Sequence, residues 1–201
     1  MKSHAAILIA ALGVSVASLT ELHAQDPAVQ RRQLRAPEII DGVHCAPTGN
    51  FSAETYLSGA LYSCPVLNDT VIAGHALFAG TWITLDTLRR LEHAWLSRNT
   101  ILAGHLCKGT GYKGYSTRFR EDGSLRLCFL AEDTEINGVP CIHGSFWTEI
   151  RGGTMTAATF HRDGSLAGCQ ASRTFTANGV RYRKWNRIAR DSVGIIRRVD
   201  S

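Results

Sequence analysis

The chain has 201 residues, six cysteines and a formal net charge of +5. Residues 25–172 hold 13 Lys plus Arg against 14 Asp plus Glu, while residues 173–201 hold 8 against 2. The basic character therefore belongs to the C-terminus, which argues against a uniformly basic nucleic-acid-binding body, and the absence of any Cys-x-x-Cys pair removes the usual zinc and thioredoxin-like readings.

The first segment reads as a signal peptide over residues 1–24. Lys2 supplies a positive start, Ala5 to Val16 an apolar core, and Leu22-His23-Ala24 a small-residue end before Gln25. The apolar run is too short for a membrane span, so the mature chain is expected to have no transmembrane segment. What remains is enough for one domain. An even cysteine count in an exported chain reads as disulfides, and the expected location is the periplasm or outside the cell. Residues 25–39 are polar and basic, with prolines at 27 and 37, and read as a flexible lead-in.

Residues 40–190 read as a single β-repeat domain. A glycine phrase recurs at Ile40-Asp41-Gly42, Ile72-Ala73-Gly74, Leu102-Ala103-Gly104 and Ile136-Asn137-Gly138, and opens again at Asn178-Gly179. A second phrase closes each unit: Leu61 to Cys64, Leu91 to Ala94, Leu125 to Cys128 and Leu166 to Cys169. The stretch Phe119-Arg120-Glu121-Asp122-Gly123-Ser124-Leu125 returns at Phe160-His161-Arg162-Asp163-Gly164-Ser165-Leu166. Fixed-period recurrence identifies a repeat architecture before any local propensity does. Alternation at Leu125, Leu127 and Phe129 predicts strands. Asp122-Gly123 and Asp163-Gly164 supply the positive φ that tight hairpins need, with Gly59 in the same place earlier. The expected fold is all-β, an array of about four hairpin units of roughly 30 residues. Each unit is a hairpin plus a further short strand. Asp69, Asn99 and Asp133 read as turn residues bonding to nearby backbone.

Residues 85–96 conflict with this pattern. Leu85, Leu88, Leu91 and Trp95 have helical spacing, whereas the repeat register requires strand, and continuity of the sheet favours the strand. Between Cys141 and Phe160 the fourth unit carries an insertion, with a hairpin tip expected at Arg151-Gly152-Gly153-Thr154.

Cysteine occupies the glycine phrase at 45, 107 and 141 and the closing phrase at 64, 128 and 169. The second unit has Leu77 and Ala94 instead and lacks both. Paired absence points to bridges within units: Cys45–Cys64, Cys107–Cys128 and Cys141–Cys169 among fifteen possible pairings.

No catalytic constellation is legible. There is no P-loop, no Gly-x-Gly-x-x-Gly and no Gly-x-Ser-x-Gly, and no cofactor is implied. Glu121 with Asp122 and Glu132 with Asp133 sit at repeated turns and read as structural. His75 and His105 follow equivalent glycines; a metal site with His93 or Asp86 is weighed against ordinary polar sheet residues, and the latter is preferred. The candidate binding residues are Arg181, Arg183, Trp185 and Arg187, placed on one face by reading Val180 to Arg187 as a strand. Arginine beside an aromatic ring can hold an anionic polymer. The bland alternative is an edge strand kept soluble by its charges. Residues 191–201 read as a C-terminal tail.

Around Phe119, Asp122, Gly123 and Leu125, and again around Phe160, Asp163, Gly164 and Leu166, the chain resembles bacterial MORN-like repeat proteins. The resemblance covers two units well; the units here are longer and the cysteines lie outside that pattern. It implies a β-hairpin array used for binding or scaffolding, with no catalytic residues to carry over. The expected function is an exported, non-enzymatic binding or scaffold protein that engages anionic lipid, polysaccharide or another envelope protein, with nucleic acid disfavoured. A small secreted hydrolase or enzyme inhibitor, and a purely structural surface component, are the alternatives.

Overall fold

The computed structural model describes residues 28–111, 114–145 and 156–199. The expected leader and the expected tip at Arg151 to Thr154 lie outside the described residues. In chain order the first strands are β1 (Val29–Arg32), β2 (Glu38–Ile40), β3 (Val43–Cys45), β4 (Ala53–Tyr56) and β5 (Leu61–Pro65). Next come β6 (Thr70–Ile72), β7 (His75–Leu77), β8 (Trp82–Leu85) and β9 (Leu91–Trp95). They are followed by β10 (Thr100–Leu102), β11 (His105–Cys107), β12 (Ser116–Phe119) and β13 (Leu125–Cys128). Then follow β14 (Thr134–Ile136), β15 (Val139–Cys141), β16 (Ala158–Phe160) and β17 (Leu166–Gln170). The last are β18 (Phe175–Ala177), β19 (Val180–Tyr182), β20 (Arg187–Arg190) and β21 (Ile196–Arg198).

Eleven of these strands form one antiparallel sheet in the order β1-β4-β5-β8-β9-β12-β13-β16-β17-β20-β21. The others form five separate two-stranded hairpins: β2–β3, β6–β7, β10–β11, β14–β15 and β18–β19. The chain therefore alternates a short hairpin with a sheet hairpin. The expectation of one further short strand per unit is corrected: each glycine phrase is itself a hairpin. Its two turn residues both have positive φ, as at Asn137 (50°) and Gly138 (78°), the geometry that two-residue hairpins need to match strand twist.

The sheet hairpins turn differently. Arg120 N donates to Ser124 O at 2.9 Å and Gly123 N to Arg120 O at 2.9 Å, and the same pair of bonds recurs at Tyr56, Asp86, His161 and Asp191. Only one residue of each turn is left-handed: Gly59, Arg89, Gly123, Gly164 and Gly194. Asp122 instead accepts from Ser124 N at 3.0 Å and Ser124 Oγ at 2.6 Å. Residues 85–96 are strand, turn, strand. The helical spacing of their apolar residues arises because Asp86 to Arg90 is a turn and Glu92 a bulge.

The core lies between the sheet and the short hairpins. Cys64, Ile83, Ala94 and Thr117 stand side by side on successive strands, as do Cys128 with Ala158 and Cys169 with Ile188. All are buried. Disulfides join Cys45 to Cys64, Cys107 to Cys128 and Cys141 to Cys169. Beside each disulfide an isolated bridge ties the short hairpin to the sheet: Cys45 with Val66, Cys107 with Leu130, Cys141 with Ala171. In the second unit Leu77 and Ala94 are buried in the same core, and no such bridge occurs among the described residues.

Three further expectations are corrected. The lead-in is ordered from Val29 onward. There β1 pairs with β4, and Leu34 is buried with its N–H donating to Thr48 Oγ1 at 3.0 Å. Without β1, the backbone groups of β4 would form an open edge. The expected tail contains β21, which pairs with β20 through Ile188 and Arg198. Asp69, Asn99 and Asp133 reach ten residues ahead rather than to nearby backbone. They accept from Ala79 N (2.8 Å), Gly109 N (3.0 Å) and His143 N (2.9 Å), which clasps together the two ends of β6–β7, β10–β11 and β14–β15.

Candidate functional site on the open face of the sheet

The face opposite the core is crossed by one register row. Arg31, Glu54, Ser63, Thr84, His93, Arg118, Leu127, Thr159, Gly168, Ala189 and Arg197 lie side by side on the eleven strands. Next to this row, four sheet hairpins carry a bulge at the same place. The extra residues are Tyr62, Glu92, Arg126 and Ala167. A bulge re-aims the side chain it inserts. The frame is thus held constant while tyrosine, carboxylate, guanidinium and methyl alternate along one line.

On the other side of the row is an aromatic slot. Trp82 and Trp95 are direct cross-strand partners. Trp82 Nε1 donates to Ser63 Oγ at 2.6 Å, and Phe51 meets Trp82 edge-on at 5.9 Å. With Pro47, Pro65, Gly80 and Gly111 these rings line a slot of about 180 Å³. The His93 ring lies 5.9 Å from the Trp95 ring, and its Nδ1 is 3.4 Å from Ser116 Oγ. Burial lowers the His93 pKa below the ordinary imidazole value; Glu92 opposes the shift and Arg118 and Arg126 reinforce it.

A wider trough of about 570 Å³ opens on the turn side of this face, lined by Asp86, Arg90, Glu92, Arg120, Glu121, Arg126 and Arg162. The residues that open the neighbouring turns differ beside it. Tyr56 Oη donates to Leu85 O at 2.8 Å, Arg120 Nη2 to Phe160 O, and His161 Nε2 to Arg190 O at 2.8 Å. Each of these residues opens a turn and stitches it to the following hairpin. The residue at that place in the second sheet hairpin is Asp86, whose short side chain folds back into its own turn. It accepts from Leu88 N (2.9 Å), Arg90 N (2.9 Å) and Arg90 Nε (2.6 Å). Asp86 therefore makes no bond to the backbone of the next hairpin, unlike Tyr56, Arg120 and His161. Burial raises the Asp86 pKa, but the bonds from Arg90 and Leu88 and the Arg90 charge outweigh it and hold the carboxyl below its ordinary value. Arg90 also approaches Glu121 at 3.4 Å. The side chains of Arg118 and Arg126 make no hydrogen bond or ion pair among the described residues.

The candidates named from sequence are not on one strand. Arg181 is exposed on β19 opposite Thr176. Arg183 and Trp185 lie in the following turn, and Arg187 opens β20 opposite Gln170. The strand is broken because Arg183 N donates to Asn186 Oδ1 at 2.7 Å while Trp185 takes a φ of 73°. The second and third units place Gly80 and Gly111 at this point. Gly80 N donates to Val66 O and Trp185 N to Ala171 O in the same way. Lys184 Nζ is 5.3 Å from the Trp185 ring centroid.

His75 and His105 do not form a site. His75 Nε2 donates to Gly123 O at 2.7 Å and rests on Phe119; His105 Nε2 donates to Gly164 O at 3.3 Å and stacks on Phe160. Each caps a different sheet turn. Among the described residues no three His, Cys, Asp or Glu side chains converge to hold a metal ion, and no helix is long and apolar enough to cross a membrane. Sequence reasoning missed Trp82, Trp95, Arg118 and Arg126 because they come from four strands; the only signal was that they occupy open-face positions of the repeat. Comparison with protein-family models, curated proteins and solved structures found no match.

Proposed function

We propose that this is an exported, non-catalytic binding protein of the cell envelope or extracellular space that engages an anionic surface through its basic terminal unit. The three disulfides belong to an oxidising, extracellular-type environment. The observation that carries the reading is Trp185. A non-glycine residue in the left-handed region costs about 1–2 kcal/mol, and here it holds an indole beside Lys184 where two other units have glycine. Arg181, Arg183 and Lys184, which precede it in the chain, are exposed. Such strain is found at ligand-binding sites as well as in hairpin turns, and Trp185 differs from Ala73 and Ala103 in placing a large amphipathic ring there. Cations flanking an amphipathic ring suit an anionic headgroup layer or an acidic polymer.

The test is binding of the purified exported chain to phosphatidylglycerol vesicles, to phosphatidylcholine vesicles and to an acidic polysaccharide, across a salt series. Salt-sensitive binding to an anionic probe is expected, with Arg181→Ala plus Arg183→Ala losing at least about tenfold, or about 1.4 kcal/mol. Trp185→Gly is expected to lose affinity while gaining stability. Unchanged binding by both variants rejects the reading.

A further inference from the structure

We propose that the open face of β8, β9, β12 and β13 is a second binding site, for a short stretch of acidic polysaccharide of the uronic-acid class. Four observations converge on it. The aromatic slot, His93, Arg118 and the trough adjoin: the Trp95 and His93 rings are 5.9 Å apart, Arg118 is the cross-strand partner of His93, and Arg126, the bulge residue beside Arg118's partner Leu127, lines the trough with Glu92. From Leu91 to Trp95 the strand rise spans about 13 Å, a length that suits an extended oligosaccharide rather than a single small ion. The trough lies where the turn-opening residue, Asp86, bonds within its own turn and not to the backbone of the next hairpin as Tyr56, Arg120 and His161 do, leaving the Arg90–Glu121 contact at 3.4 Å as the link across it. Arg118 and Arg126 are exposed and without ion pairs among the described residues, while Asp86 is occupied by Arg90.

The chemistry selects the ligand. Sugar rings present C–H faces that lie on indole, and hydroxyls that bond to imidazole and serine hydroxyl, which His93 and Ser116 supply at the middle of the path. Carboxylates on alternate faces of such a chain pair with planar guanidinium groups. An acidic peptide shares the charge but not the ring faces, and a lipid headgroup shares the charge but presents no extended run of sugar rings. Glu92, which projects from its bulge 3.6 Å from His93, sets a limit: it repels a carboxylate placed over the imidazole. The site rests on the reading of an exported binding protein but not on the basic terminal unit.

The experiment is calorimetry on the full exported chain with oligogalacturonate, oligomannuronate and hyaluronan fragments, with methyl-esterified oligogalacturonate and poly-glutamate as controls. At least one uronic-acid oligosaccharide is expected to bind, and the methyl ester and poly-glutamate at least tenfold more weakly. Arg118→Gln with Arg126→Gln is expected to lose at least tenfold, Glu92→Gln to gain several-fold, and Arg181→Ala with Arg183→Ala to change nothing. Because Arg118 and Arg126 are exposed, that double variant is expected to fold as the parent does. No binding by the parent to any of the three uronic-acid probes, equal binding of poly-glutamate, or undiminished binding by Arg118→Gln with Arg126→Gln each overturns the proposal. Loss of vesicle binding in the Arg181 and Arg183 variant with oligosaccharide binding intact separates this site from the terminal one.

Discussion

Backbone strain at single residues divides into two kinds. Ala73 and Ala103 have φ of 50° and 49° in short-hairpin turns where Asp41, Asn137 and Asn178 occupy the same place. Asparagine and glycine tolerate this conformation better than alanine. Ala103→Gly is therefore expected to raise stability by about 1 kcal/mol, a rise of roughly 2–4 °C in Tm that calorimetry can read. No loss of binding should accompany it, unlike Trp185→Gly. A second residue-level expectation concerns Asp122, whose pKa is lowered first by the Ser124 hydroxyl, then by Ser124 N, with Arg162 and Arg120 adding to the effect against desolvation. The folded value lies below the unfolded one, so its contribution is complete above the ordinary aspartate pKa and is lost as pH falls through the folded value. Carboxyl titration by NMR should find Asp122 low and Ser124→Ala shifted upward; an unshifted Ser124→Ala would remove the hydroxyl from the explanation.

The short hairpin is the element that differs most between units. Disulfide and isolated bridge tie β2–β3, β10–β11 and β14–β15 to the sheet, while β6–β7 has neither among the described residues. Its attachments are the Asp69 clasp, the buried Leu77 and the His75 cap. Amide hydrogen exchange is expected to be faster in β6–β7 than in β10–β11, since local opening there breaks no covalent link. Cys107→Ala with Cys128→Ala should lower stability by about 3 kcal/mol and bring the exchange of β10–β11 to that of β6–β7. The disulfide pairing was legible in the sequence because Leu77 and Ala94 replace two cysteines together. The turn chemistry was only partly legible. Asp-Gly occurs both in sheet turns and, at Asp41-Gly42, in a short hairpin, and the spacing of the flanking strands decides whether one residue or two must be left-handed.

At the scale of the whole molecule the sheet is open, with edges at β1 and β21. Both carry arginines, Arg31 and Arg32 on one and Arg197 and Arg198 on the other, and charge on an edge discourages a further strand from adding. Arg197→Val with Arg198→Val is expected to produce concentration-dependent association on size exclusion, and a monomer at all concentrations would show that charge is not what guards this edge. The repeat, the strands, the disulfides and the segregation of charge to the terminal unit are properties of sequence alone, because period-two alternation and fixed spacing encode which face of each strand is buried. The site was not encoded that way. Trp82, Trp95, His93, Arg118 and Arg126 are brought together by register between strands, and register depends on the bulges and the packed short hairpins. The expected Val180 to Arg187 strand failed for the same reason. Local alternation favoured extension, but the hydrogen bonds that join Ala171 to Trp185 and Asn186 require a turn there, and only the tertiary structure contains them.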